Sequence, residues 1–283
     1  MDEKNKPWLL LLPALLVIVF LFLGGILFCI VQSLNYQPII GKTTIDLEAY
    51  RSIFTERTFL VSLVYSFYIA FGATFLSIVT AIIIAMALRK TFIGKSIAVF
   101  TFQFPIPIPH IVSGVAILML FTQSGFISRI FNMMGIAESP SSFPELVFDP
   151  MGVGIILALL WKFMPFIGVS VLALLQTSGL VYEEQATSLG ANSWQRFRYV
   201  LLPIMKPAIM STSILTFAYG FGAYELPFLL GGVYPKTLAI VAFERYNNVD
   251  LTYRPESMAM SIVITIVVVS LILLYRKMAT QNS

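Results

Sequence analysis

Residues 59–88 contain no charged side chain at all. A run of that length constrains a chain more than any motif does. About 20 mostly apolar residues are enough for a helix to cross roughly 30 Å of hydrocarbon. Inside hydrocarbon the backbone must satisfy its own hydrogen bonds, which a helix does within one segment. Five further stretches are long and predominantly apolar: 8–31, 97–121, 152–178, 204–230 and 257–275, with Lys162, Lys206 and Glu225 as their only charges. The strands of a membrane barrel would alternate over about ten residues, and none of these runs alternates. The expected fold is therefore an all-α membrane protein of six transmembrane helices.

Composition excludes most other classes. Apolar residues make up 58% of the 283 and charged residues only 11%, against about 25% charged in soluble domains. This is too apolar for a nucleic-acid-binding module, a disordered chain or an ordinary soluble enzyme. One cysteine, Cys29, cannot form a disulfide framework, and one histidine, His110, cannot form a multi-histidine metal site. No loop is long enough to bury a core of its own, so residues 1–283 are expected to form a single transmembrane domain.

Lysine and arginine set the expected orientation. With the N-terminus inside, the inner segments hold Lys4, Lys6, Arg89, Lys90, Lys95, Arg196, Arg198, Lys206, Arg276 and Lys277. The longer outer loops hold Lys42, Arg51, Arg57, Arg129, Lys236, Arg245 and Arg254, with most of the acids, Glu138 among them. Both termini are thus expected in the cytoplasm. The first run is too long for a signal-peptide core and lacks a small-residue cleavage site, so it reads as an uncleaved helix.

Residues 179–203, between the fourth and fifth runs, do not read as a passive connector. Tyr182, Ala186, Leu189 and Ala191 approximate one helical face, Gly190 breaks it, and Trp194, Phe197, Val200 and Leu201 offer a second face. Glu183 and Glu184 fall where a helix dipole favours acids. The pattern suits an amphipathic helix in the lipid interface and equally a helix–turn–helix presented to a cytoplasmic partner.

The spacing Glu184-Gln185-Ala186, then Gly190, then Val200-Leu201-Leu202-Pro203 resembles the EAA loop of ABC importer permeases, the membrane subunits of binding-protein-dependent transport systems. The departures are Gln185 for alanine and Val200 for isoleucine. The resemblance implies a coupling helix, with Glu184, Gln185, Ala186, Gly190 and Ala191 as the element that docks on a separate ATPase. It implies the partners of such a subunit: a cytoplasmic ABC ATPase dimer, a second permease identical or homologous to this one, and an extracytoplasmic solute-binding protein. It implies residence in a bacterial or archaeal plasma membrane, with no cofactor and no catalytic residue in this chain. Trp194 and Phe197 are expected to pack the second short helix back on the membrane bundle.

ATP binding is not expected here. Gly41-Lys42-Thr43 and Gly94-Lys95-Ser96 mimic the end of a P-loop, but the positions that need glycine hold Tyr36 and Arg89.

Two charges lie deep in the predicted helices. Lys162 sits roughly 15 Å and Glu225 roughly 7–8 Å from the outer ends of their runs, at 1.5 Å per residue. Intramembrane charges face bundle interiors or cavities. A structural ion pair between them, or a snorkelling lysine, is preferred over a role in translocation. Pro105, Pro107 and Pro109 cannot sit in a regular helix. A broken helix beside the pathway is expected there, with Pro107, Pro109 and His110 as candidate lining. His110 alone reads more readily as a packing residue. The run from Phe221-Gly222 through Pro227-Phe228-Leu229 to Gly231-Gly232 resembles permeases of the polyamine, sulfate and iron branch, whose polyamine members often carry an acid in this run; here the acid is Glu225. That resemblance favours a polyamine or another small polar solute. The alternative reading, an ion-gradient-driven secondary transporter, explains the helices but not the EAA spacing.

Overall fold

A computed structural model describes residues 6–136, 139 and 142–281. Lys4 and Glu138, used in the orientation argument, lie outside the described residues. The helices in chain order are α1 (Lys6–Ile18), α2 (Gly24–Ser33), α3 (Glu48–Thr55), α4 (Arg57–Leu88), α5 (Lys95–Gln103), α6 (His110–Phe121) and α7 (Phe126–Met133). They continue with α8 (Val153–Leu174), α9 (Leu180–Ser188), α10 (Ser193–Arg196), α11 (Leu202–Gly222), α12 (Glu225–Leu230), α13 (Leu238–Tyr246) and α14 (Arg254–Gln281). Among the described residues no strand forms.

Among the described residues six segments are long and apolar enough to cross a membrane: Leu10–Ser33, Arg57–Leu88, His110–Met133, Val153–Gly179, Ser193–Gly222 and Leu251–Lys277. Two of the predicted helices prove discontinuous. The run 97–121 is split into α5 and α6 by the Pro105–Pro109 stretch, so the third long segment begins at His110 instead. The run 204–230 is split at Ala223, whose ψ of 132° is extended, into α11 and α12. The fourth run does not end at a loop. It passes through a π turn (Leu175–Gly179) straight into α9.

The chain groups into two compact units. The first holds the described residues up to Val61 together with Leu238–Val267. There the Arg245 guanidinium pairs with both Glu56 and Glu256. The Ser52 hydroxyl donates to Glu256 at 2.6 Å and the Ser257 hydroxyl to the Ala242 carbonyl at 2.6 Å. These bonds tie α3, α13 and the starts of α4 and α14 at their polar ends, where a half-buried arginine needs carboxylate partners.

The second unit holds Ser62–Thr237 and the described residues from Val268 onward. Small residues decide its packing. Ala70, Ala73, Ala81 and Ala85 form a fully buried stripe on α4. Small stripes let membrane helices approach closely, since dispersion rather than water exclusion binds helices in lipid. Gly220 of α11 fits against the Ala70 backbone and the Phe163 ring. The Phe102 ring of α5 seats directly on Gly168 of α8, in the space that a Cβ would take. One apolar core joins Tyr65, Ile69, Ile117, Ile155, Leu159, Leu226 and Leu230; a second joins Leu88, Phe102, Val171, Leu175, Leu201 and Met205.

Candidate functional site

Each proline from 105 to 109 removes a backbone N–H, so a carbonyl one turn earlier loses its helical donor. The Pro105 carbonyl would look to residue 109, which is itself proline. Lys162 makes good the deficit. Its Nζ donates to the Pro105 carbonyl at 2.6 Å, the Ile106 carbonyl at 3.4 Å and the Ile108 carbonyl at 2.5 Å. The residue is only 6% exposed. The expected Lys162–Glu225 ion pair is therefore corrected: the lysine neither pairs with Glu225 nor snorkels, because three stranded carbonyls lie within its reach. The helix restarts with Pro109 in the N-cap position of α6, its carbonyl accepting from the Ser113 N–H at 3.1 Å.

Beside this plug His110 stacks on Tyr219, ring centroids 4.7 Å apart and planes 27° from parallel. Phe163 meets Tyr219 edge-on at 6.0 Å. Ile106, His110, Lys162, Phe163, Phe166, Leu215, Thr216 and Tyr219 line a cavity of about 280 Å³. Pro107 and Pro109 are exposed. Glu225, also exposed, opens α12 and acts electrostatically on both His110 and Tyr219. The structure thus brings His110, Lys162 and the proline break together with Glu225 within electrostatic range. Tyr219 escaped the sequence reading: it is one aromatic residue among many on an apolar helix, and only its stacking partner sets it apart.

The second candidate region is the arm formed by α9, α10 and the turn between them. Gly190 makes that turn with φ of +82°, a left-handed conformation that side chains resist, and the space around its Cα is open. Asn192 caps α10 in a capping box with Gln195: the Gln195 N–H donates to Asn192 at 2.9 Å, and the Asn192 N–H to Gln195 at 2.8 Å. Glu184 and Gln185 are exposed, and Ala186 and Ala191 half-buried. Leu189 is 88% exposed and Tyr199 72%. Both border two shallow depressions of about 370 and 410 Å³, lined also by Gln185, Ala186, Gly190, Ala191, Gln195 and Val200. The expected inward packing of the second short helix is half right. Phe197 packs against the second core, whereas Trp194 is 68% exposed. The buried face runs through Phe197 and Leu201, in the π turn (Phe197–Leu201) that follows α10.

Among the described residues, the long apolar helices, two of them broken, and the helix–turn–helix arm are those of a polytopic membrane protein. Residues 77–280 match the family described as binding-protein-dependent transport system inner membrane component, and the chain belongs to that family of ABC importer permeases. It is 27% identical over 210 residues to the sulfate transport system permease protein CysT of Escherichia coli (strain K12), covering 73% of this chain and 70% of that one. A probable sulfate transport system permease protein cysT of Marchantia polymorpha is 27% identical over 206 residues, covering 71% and 67%. The trehalose/maltose transport system permease protein MalF of Thermococcus litoralis is 25% identical over 284 residues, covering 97% and 94%. The fold is similar to a chain in the crystal structure of a bacterial ABC transporter involved in the import of the acidic polysaccharide alginate. The TM-score is 0.81 at 15% identity, covering 99% of this chain and 98% of that one.

Proposed function

We propose that this chain is one permease domain of an ATP-driven importer, with its α9–α10 arm as the contact for a separate cytoplasmic ATPase. The observation that carries this reading is the arm's surface. The capped, turned helix pair leaves Leu189, Tyr199, Tyr182 and Trp194 exposed. Exposed apolar patches rimmed by polar residues mark protein or membrane contacts, and the resemblance of this arm to an EAA loop favours a protein. In this reading Glu184, Gln185, Ala186, Gly190 and Ala191 form the docking element, and both termini lie on the same cytoplasmic side. A second permease, identical or homologous, completes the pathway, and an extracytoplasmic solute-binding protein delivers the solute. A secondary transporter would have no use for the arm.

The pathway in this reading passes His110, Tyr219 and Glu225. Lys162, Pro107 and Pro109 hold the broken backbone open beside it. Glu225 is exposed while Lys162 is occupied by carbonyls. An exposed carboxylate in electrostatic range of two cavity-lining side chains, His110 and Tyr219, favours a small cationic solute such as a polyamine. Relatives named for sulfate, trehalose/maltose and alginate transport show how widely solutes vary on this fold. The test is purification of the tagged chain from its native membrane. An ATPase that co-purifies, and is lost on Gly190→Pro, supports the reading. Solute accumulation by vesicles holding this chain alone, without ATP, overturns it.

A further inference from the structure

The arm leaves the bundle through two π turns, Leu175–Gly179 and Phe197–Leu201, which pack on each other where Gly179 meets Leu201. π turns interrupt the regular hydrogen-bond ladder of a helix and stand frequently at functional sites. Force applied to the arm would bear on these two turns unless something else held it.

The structure holds it with one carboxylate. Glu183, the residue before the docking motif, takes both terminal nitrogens of Arg89 in a forked pair, one of them at 2.9 Å. Arg89 follows α4 directly and is 7% exposed, although it comes from 94 residues away in sequence. The same carboxylate lies 3.4 Å from Nε of Arg196 on α10. The Arg196 guanidinium also donates to Thr187 at 3.3 Å, to the Ala191 carbonyl at 3.3 Å and to Ser193 at 3.2 Å. Arg196 thereby fastens both sides of the Gly190 turn, and Arg89 fastens the result to the end of α4. Forked arginine–carboxylate pairs resist rotation as well as separation.

We propose that Arg89 is a positioning residue that makes the arm and the adjoining end of α4 one rigid body, so that movement imposed on the arm is delivered to α4 instead of being absorbed at the π turns. The proposal rests on the coupling role given above. Glu183 and Glu184 then have separate duties: Glu183 faces inward and holds the lever, and Glu184 faces outward toward the partner.

The test uses the full chain in lipid nanodiscs, with Cys29→Ser and spin labels at Thr91→Cys and Ser188→Cys. The parent gives one narrow inter-label distance, which stays narrow in the complex with its co-purified ATPase on adding ATP and vanadate. Arg89→Gln loses that single distance and gives a broad distribution. Arg89→Lys restores it in part. A narrow distance in Arg89→Gln overturns the proposal, and so does a distribution in Arg89→Lys as broad as that of Arg89→Gln in a folded protein. If no ATPase co-purifies, the coupling role falls, and the nucleotide-free distances still decide the clamp.

Discussion

The Lys162 ammonium donates to the Pro105 carbonyl at 2.6 Å, across 57 residues of sequence. A buried charge that looked like half of an ion pair is instead the hydrogen-bond donor that prolines took out of the neighbouring helix. Charge-assisted bonds of this kind are stronger than those between neutral groups, so the lysine, reaching across from α8, fixes the break between α5 and α6.

Lys162→Met keeps the stem and removes the donor. Each carbonyl stranded in the bundle then costs about 1–3 kcal/mol. The midpoint of thermal unfolding in detergent should fall clearly, with Lys162→Arg falling less. A wild-type midpoint for Lys162→Met would show that water, not the lysine, serves those carbonyls.

Gly168→Ala places a methyl group against the Phe102 ring. Overpacking a tight site costs typically about 1–3 kcal/mol. Adding Phe102→Leu makes room, so the double variant should recover most of the loss. Additive losses in the double-mutant cycle would mean that the two side chains do not meet.

Gly190→Ala meets no neighbour but must hold φ of +82°, which costs an L-residue roughly 1–2 kcal/mol. Gly190→Asn, which tolerates that conformation better, should retain more ATPase on the purified chain than Gly190→Ala, and Gly190→Val the least. The reverse order would locate the glycine's role in contact with the partner, not in the turn.

Arg89, by its hydrogen bonds, holds the Glu183 carboxyl below the ordinary glutamate range; its charge and those of Arg196 and Lys90 act in the same direction, against partial burial. For a depressed carboxyl the stabilisation is full above the unfolded-state pKa and is lost as pH falls through the lower folded-state value. Backbone amides of α9 should therefore stay protected from hydrogen exchange at neutral and mildly acidic pH and lose protection only below the usual glutamate range. Arg89→Gln should move that loss to higher pH. An unshifted profile in the variant would separate Arg89 from the titration.

Glu225→Gln should reduce uptake of a cationic solute such as spermidine while the assembled complex purifies in normal yield, because the side chain is exposed and not a support of the core. Unchanged uptake removes Glu225 from the pathway.

Which parts of this molecule could be read in advance follows from how far each physical signal reaches. The six apolar runs, the proline break and the Gly190 turn are local: hydrophobic length, a missing N–H and a required φ each act within a few residues, so the sequence alone determined them. The fracture at Ala223 also lies within one run, but glycines next to it served equally well as helix-packing residues, and the pattern did not separate the two.

Partners are another matter. Lys162 with the Pro105 carbonyl, Arg89 with Glu183, His110 with Tyr219 and Phe102 with Gly168 join residues from different helices. A backbone carbonyl leaves no mark in a sequence, and either of two adjacent glutamates could have faced inward. Side-chain type announced that Lys162 needed a partner; only the packing of one helix on another, set by where alanine and glycine allow close approach, decided which partners Lys162 and Glu183 received.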